Sequence, residues 1–109
     1  MKPDRRSQLE EELDRVLPIL VRDYHARRVL LFGSMVTSPI GEWSDLDLVV
    51  IKESSDRFLD RIAQALDMIK PRLGLDLLVY TPDEWRHLRE TSPYVREEID
   101  GKARVLYAG

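Results

Sequence analysis

Asp45 and Asp47 stand two residues apart at the entrance to an apolar run, within the stretch LLFGSMVTSPIGEWSDLDLVVI from Leu30 to Ile51. On a β-strand, side chains two apart leave the same face, about 7 Å from each other along the chain. Two carboxylates aimed the same way at the mouth of a buried strand repel one another. A cation, a shared proton or ample water makes such a pair tolerable. Earlier in the same stretch, Gly33-Ser34 ends another apolar run, with ten residues between Ser34 and Asp45. A glycine and a hydroxyl residue make a small, donor-rich turn that a phosphate chain can approach closely. A third carboxylate, Asp76, interrupts the apolar run Leu75 to Tyr80. Neighbouring strands lie about 5 Å apart, so pairing these runs brings Asp76 beside the first two. Taken singly, Asp45 can cap a turn, Asp47 can face water and Asp76 can be an edge charge. A phosphate cradle together with three carboxylates is the arrangement that holds a metal–nucleotide complex, and it favours Asp45, Asp47 and Asp76 as metal ligands.

Stable elements must carry these groups. Leu9, Leu13, Val16, Leu17, Leu20, Val21 and Tyr24 share one face of a helix expected from about Asp4 to Tyr24. Pro18 removes the hydrogen bond to the Asp14 carbonyl, so a kink or a break into two helices is expected there. Val29 to Phe32 shows no alternation, which suits a strand covered on both faces. Met35 to Ser38 fits one turn of helix ended by Pro39, and Ile40 to Ser44 reads as a loop. Asp45 to Ile51 is the second strand, with Asp45, Asp47, Val49 and Ile51 on one face and Leu46, Leu48 and Val50 on the other.

Ser54 or Ser55 can cap a helix running to about Arg72, with Phe58, Ile62, Ala65, Leu66 and Ile69 as its buried stripe. After Gly74, Leu75 to Tyr80 is a third strand. Thr81-Pro82-Asp83-Glu84 is a capping box with proline at the first helical position, opening a helix that carries Trp85 and Leu88. Ser92-Pro93 repeats the start signal, and Gly101 stops that helix. Ala103 to Tyr107 is a final edge strand, and its unpaired edge makes self-association possible. The order α-β-(turn)-β-α-β-α-α-β predicts a single α+β domain over residues 1–109, a small mixed sheet with helices on one face. The other face, or its edge, is left for the acidic site.

Bulk properties narrow the function. At 109 residues the chain suits one domain, and 43% hydrophobic with 34% charged residues describes a globular protein rather than a disordered one. Cysteine is absent, so neither a disulfide framework nor a thiolate metal site is available. No apolar run is long enough to span a bilayer and no secretory leader is evident, so the cytoplasm is the expected location. A net charge of −3 lacks the overall basic footprint of a nucleic-acid binder. The pairs Arg5-Arg6 and Arg27-Arg28 read as solvated surface charge. His25 and His87 lack ligand-spaced neighbours and read as ordinary surface residues, and Trp85, spaced with Leu88, reads as core. Trp43, in the loop before the acidic pair, either stacks a base, contacts a partner or packs down. No His–Asp partner adjoins Ser34, which leaves a serine-nucleophile reading with little support.

Gly33-Ser34, ten intervening residues and Asp45-Leu46-Asp47-Leu48 together resemble the nucleotidyltransferase motif of the DNA polymerase β superfamily. The chain is most similar to the minimal single-domain members, in length and in the order of its elements. The resemblance implies a palm-like nucleotidyltransferase fold and two Mg²⁺ ions, with Asp45 and Asp47 bridging the metals and Asp76 completing the second site. It implies that Gly33 and Ser34 hold the phosphates of a nucleoside triphosphate, with ATP as donor, and that a nucleotidyl group moves to a hydroxyl acceptor. Such proteins are often encoded with a helical HEPN-type protein and act as its antitoxin, by adenylylating a tyrosine of that partner. Binding without catalysis, and transfer to a small molecule of the aminoglycoside kind with a second subunit, are the alternatives. The pattern departs in one place. Family members often follow Gly-Ser with Arg, Ala, Arg, Gly, where this chain has Met35, Val36, Thr37 and Ser38. A lost charge-assisted hydrogen bond costs about 1.5–3 kcal/mol. Weakened activity is therefore expected, unless Lys52 or a partner's arginine compensates.

Overall fold

The Asp4 carboxylate accepts the Ser7 N–H at 2.7 Å and starts helix α1, Arg5–Pro18, which buries Leu9, Leu13 and Val16. The computed structural model describes residues 4–33 and 45–109. Past Pro18 the chain widens into a π-helical turn, Ile19–Asp23, that still buries Leu20. The proline, expected to kink or break the helix, instead marks a change of helix type without interruption. His25 then takes a left-handed conformation (φ 63°), turning the chain into the first strand.

Four strands make one mixed sheet: β1 Arg28–Phe32, β2 Leu46–Ile51, β3 Leu75–Tyr80 and β4 Arg104–Ala108, in the order β3-β2-β1-β4. β1 is antiparallel to both its neighbours, and β2 is parallel to β3. A parallel pair needs a crossover. Helix α2, Phe58–Ile69, supplies it and ends at Lys70 in a left-handed turn (φ 48°). It begins later than the serines suggest, because Ser54 Oγ accepts the Asp56 N–H in a local turn instead of capping the helix. Helix α3, Pro82–Thr91, follows β3 through the expected capping box. Thr81 accepts the Glu84 N–H, while Glu84 accepts the Thr81 N–H. A second π-helical turn, Val95–Asp100, leads towards β4.

Strand alternation divides the core in two. Val29, Leu31, Leu46, Leu48, Val50, Leu77 and Val79 face the two longest helices, against Leu9, Val16, Leu20, Ala65 and Ile69. On the opposite face, Leu30, Val49 and Ile51 lie under Trp85 of α3 and Ile99. The mixed sheet is as expected, and its principal helical layer does lie on one face. The short α3 adds cover over part of the other. The buried stripe of α2 contains a residue that periodicity does not suggest, Arg61, which is 3% exposed. No helix among the described residues is long and apolar enough to cross a membrane.

Candidate active site

Asp47 is the second residue of β2 and Asp76 the second of β3, and the parallel register sets them directly opposite one another. Both therefore occupy the sheet face that continues into Val49 and Leu78, beyond the part that Trp85 covers. The two carboxyls are close enough to share a hydrogen bond. Burial pushes the Asp47 carboxyl up to about 6, helped by the hydrogen bond and charge of Asp76 and by the charge of Asp45. The repulsion expected from the sequence is present, and it opposes ionisation of Asp47.

Gly33 ends β1, whose Phe32 pairs opposite Asp47. Its φ of +79° is left-handed, and a Cβ at this position would fall on the Asp47 carboxylate. The residue is glycine for two reasons, backbone conformation and contact. Gly74 plays a matching part for Asp45: a Cβ there would strike the Asp45 carboxylate, and the Leu46 N–H donates to the Gly74 carbonyl at 3.1 Å. The loop carrying Gly74 is itself tethered. Glu12 accepts the N–H groups of Arg72 and Leu73 at 2.6 and 3.3 Å, and Arg15 donates to the Ile69 carbonyl at 2.9 Å. Helix α1 thus fixes the entrance to β3, and with it Asp76.

Asp45 lies just outside β2 and leans towards the start of α1, where Arg5 Nη2 is 3.6 Å from its Oδ1. The sequence offers no signal for this, because periodicity does not relate residue 5 to residue 45. Asp47 and Asp76 are thus brought together, while Asp45 acts on Asp47 by its charge and rests against Arg5. Among the described residues, no three histidine, cysteine or acidic side chains are gathered into a metal cage. The donor chemistry nevertheless fits a hard divalent cation. Carboxylate oxygens are the ligands Mg²⁺ prefers, and a dication would relieve the opposition to Asp47 ionisation.

Ser34, Met35, Val36, Thr37, Ser38 and Trp43 lie outside the described residues, as do the helical turn and loop expected there. Lys52 does not replace the absent arginines. Its ammonium donates to the Tyr24 carbonyl at 2.5 Å and sits over the Tyr24 ring, beyond the far end of β2 from Asp47. His25 serves a turn and His87 lines a groove with Phe58, Tyr80 and Glu84, so neither belongs with the three aspartates.

No curated protein is significantly similar to this chain. Among solved structures it is similar to a mutant of the toxin–antitoxin MntA–HpeT, at 13% identity and a TM-score of 0.48, over 97% of this chain and 75% of that one. The family model described as "Nucleotidyltransferase domain" matches residues 13–105, which include Gly33, Ser34 and all three aspartates. By that match, the chain belongs to the nucleotidyltransferase domain family.

Proposed function

We propose that this nucleotidyltransferase moves a nucleotidyl group, AMP from ATP, to a hydroxyl acceptor with the help of Mg²⁺. The observation that carries the reading is the in-register Asp47–Asp76 pair with Gly33 against it. Asp45, Asp47 and Asp76 would hold two Mg²⁺ ions, which when bound neutralise the triphosphate and align the attacking and leaving oxygens. Gly33, lacking a side chain, leaves room for the Asp47 carboxylate at the end of β1, and its backbone would approach the phosphates while Ser34 would donate its hydroxyl and N–H to them. Asp76, more exposed than Asp47, faces the acceptor and takes its hydroxyl proton. The freed oxygen bonds to the α-phosphorus, and the bond to pyrophosphate breaks. The resemblance of the motif to minimal family members supports a tyrosine of a HEPN-type partner as the acceptor, with this chain as antitoxin in the cytoplasm. A second reading, neutralisation of the partner by contact alone, is favoured by Met35 and Thr37 in place of arginines and by the engagement of Lys52 elsewhere.

Radiolabel in the α-phosphate of ATP, supplied with Mg²⁺ and the partner, separates these readings. Label on a partner tyrosine is expected, and it should vanish in Asp47→Asn while partner binding persists. A stable complex that never acquires label would establish the contact reading instead. Label on a small hydroxyl compound would move the assignment to a small-molecule transferase.

A further inference from the structure

At the opposite end of β2 from the aspartates, arginines gather around a second site. Arg28 opens β1 and pairs opposite Ile51, four residues along β2 from Asp47, a separation of about 13 Å. Arg27 precedes it, and Arg86 and Arg89 lie three residues apart on α3. These four arginines border one cavity of about 310 Å³, with Ile51 and Trp85 in its wall. In a chain of net charge −3, four guanidiniums on one cavity are a local concentration of basic groups. Three of them have carboxylate neighbours, Arg27 with Glu53 at 2.9 Å, Arg89 with Asp100 at 2.7 Å, and Arg86 with Asp83. Arg28 is half-buried and has no ion pair among the described residues. The Trp85 Nε1–H in the same wall is buried and has no acceptor there either.

We infer that this cavity binds a phosphate-bearing small molecule through its phosphate group. The inference uses no part of the transfer reading. Guanidinium forks suit both carboxylates and phosphates, so the choice between them follows from what the arginines already have. The Arg27 and Arg86 pairs are exposed on both sides, and such pairs contribute little. A monocarboxylate would only exchange like for like. A phosphate brings more charge and several acceptor oxygens, and it can engage Arg28 together with the exposed forks of its neighbours. The small size of the site, about 310 Å³ and open on one side, favours a small ligand over a nucleic-acid strand, which needs an extended basic track.

Titration of the isotope-labelled full chain with inorganic pyrophosphate in EDTA tests this, followed by the indole N–H resonance of Trp85. Chelation keeps the aspartate end from recruiting the probe through a metal. The resonance should shift saturably. Arg28→Ala and Arg86→Ala should each weaken binding by about tenfold, the size of one lost charge-assisted hydrogen bond, and Asp47→Asn should leave it unchanged. Arg86 lies on the exposed side of α3, so its variant remains informative should Arg28→Ala fold poorly. No shift at millimolar pyrophosphate would overturn the assignment, as would a shift that survives both arginine variants. Tighter binding of an acidic peptide or of single-stranded RNA than of pyrophosphate would overturn the ligand class.

Discussion

Glu84 and Asp47 are both carboxylates drawn partly out of water, yet Glu84 is held down at about 2 and Asp47 is pushed up to about 6. Glu84 receives both Arg61 Nη atoms, at 2.6 and 2.9 Å, as well as the Thr81 N–H. Arg61 in turn donates to the carbonyls of Val79 and Asp56, so one guanidinium joins α2, β3 and α3. Glu12 follows the same pattern, with Arg15 beside it and two backbone donors from the loop before β3. Among the described residues, no arginine or lysine is paired with Asp47. Its nearest neighbours in the register are another carboxylate and the apolar Phe32. Where the fold needs a carboxylate as a fastener, it provides the cation from its own chain. At the sheet end three aspartates meet one cation among the described residues, Arg5 beside Asp45, and the Asp47–Asp76 pair is left with excess negative charge that a proton or a bound cation would relieve. That difference is the physical ground on which the proposed function rests its choice of Asp47 and Asp76.

Breaking the matched side should have the largest effect. Arg61→Ala is expected to cost about 3 kcal/mol in urea unfolding, the lower end for stripping a partner from a buried ion pair, since Glu84 can turn towards water. A loss below about 1 kcal/mol would show that the clamp contributes little and would blunt the contrast. Gly33→Ala comes next. It combines a left-handed backbone with a Cβ on the Asp47 carboxylate, and should cost about 2 kcal/mol and abolish transfer. A fully stable, active variant would mean that the strand end has room to rearrange.

The smallest effect is the most diagnostic, because the two carboxylates have opposite pH signs. Asp47 has its folded pKa raised from 3.8 to about 6, so its stabilising contribution is present below about pH 4 and is lost as pH rises through about 6. Glu84 has its folded pKa lowered from 4.5 to about 2, so its contribution is present above about pH 5 and is lost as pH falls towards 2. In EDTA, thermal melts from about pH 4 to about pH 8 should therefore show a loss of stability between about pH 4 and about pH 6, flat above it, that Asp47→Asn removes. Mg²⁺ should raise the melting temperature more at pH 7 than at pH 5, because protons and metal compete for the same oxygens. Identical pH profiles for the wild type and Asp47→Asn would contradict the assignment of Asp47 as the strained group.

Much of this molecule is legible in local sequence. The Thr81–Glu84 capping box, the irregularity at Pro18 and strand Leu75–Tyr80 follow from short-range rules, because each depends on groups a few residues apart. The motif from Gly33 to Asp47 and the family it belongs to are likewise written in residue type and spacing. What spacing cannot contain is who stands opposite whom. Arg61 falls on the apolar stripe of α2 and reads as an error until Glu84 and the Val79 carbonyl arrive to satisfy it. Arg5 reads as surface charge until α1 brings it to Asp45, and Arg28 until α3 sets Arg86 and Arg89 around the same cavity. The parallel register of β2 and β3 turned three scattered aspartates into an adjacent pair and a flanking charge. A sequence states which groups can bear charge. Only the tertiary structure decides which charges are answered within the chain, because burial and distance set the electrostatic cost and both arise from contacts remote in sequence.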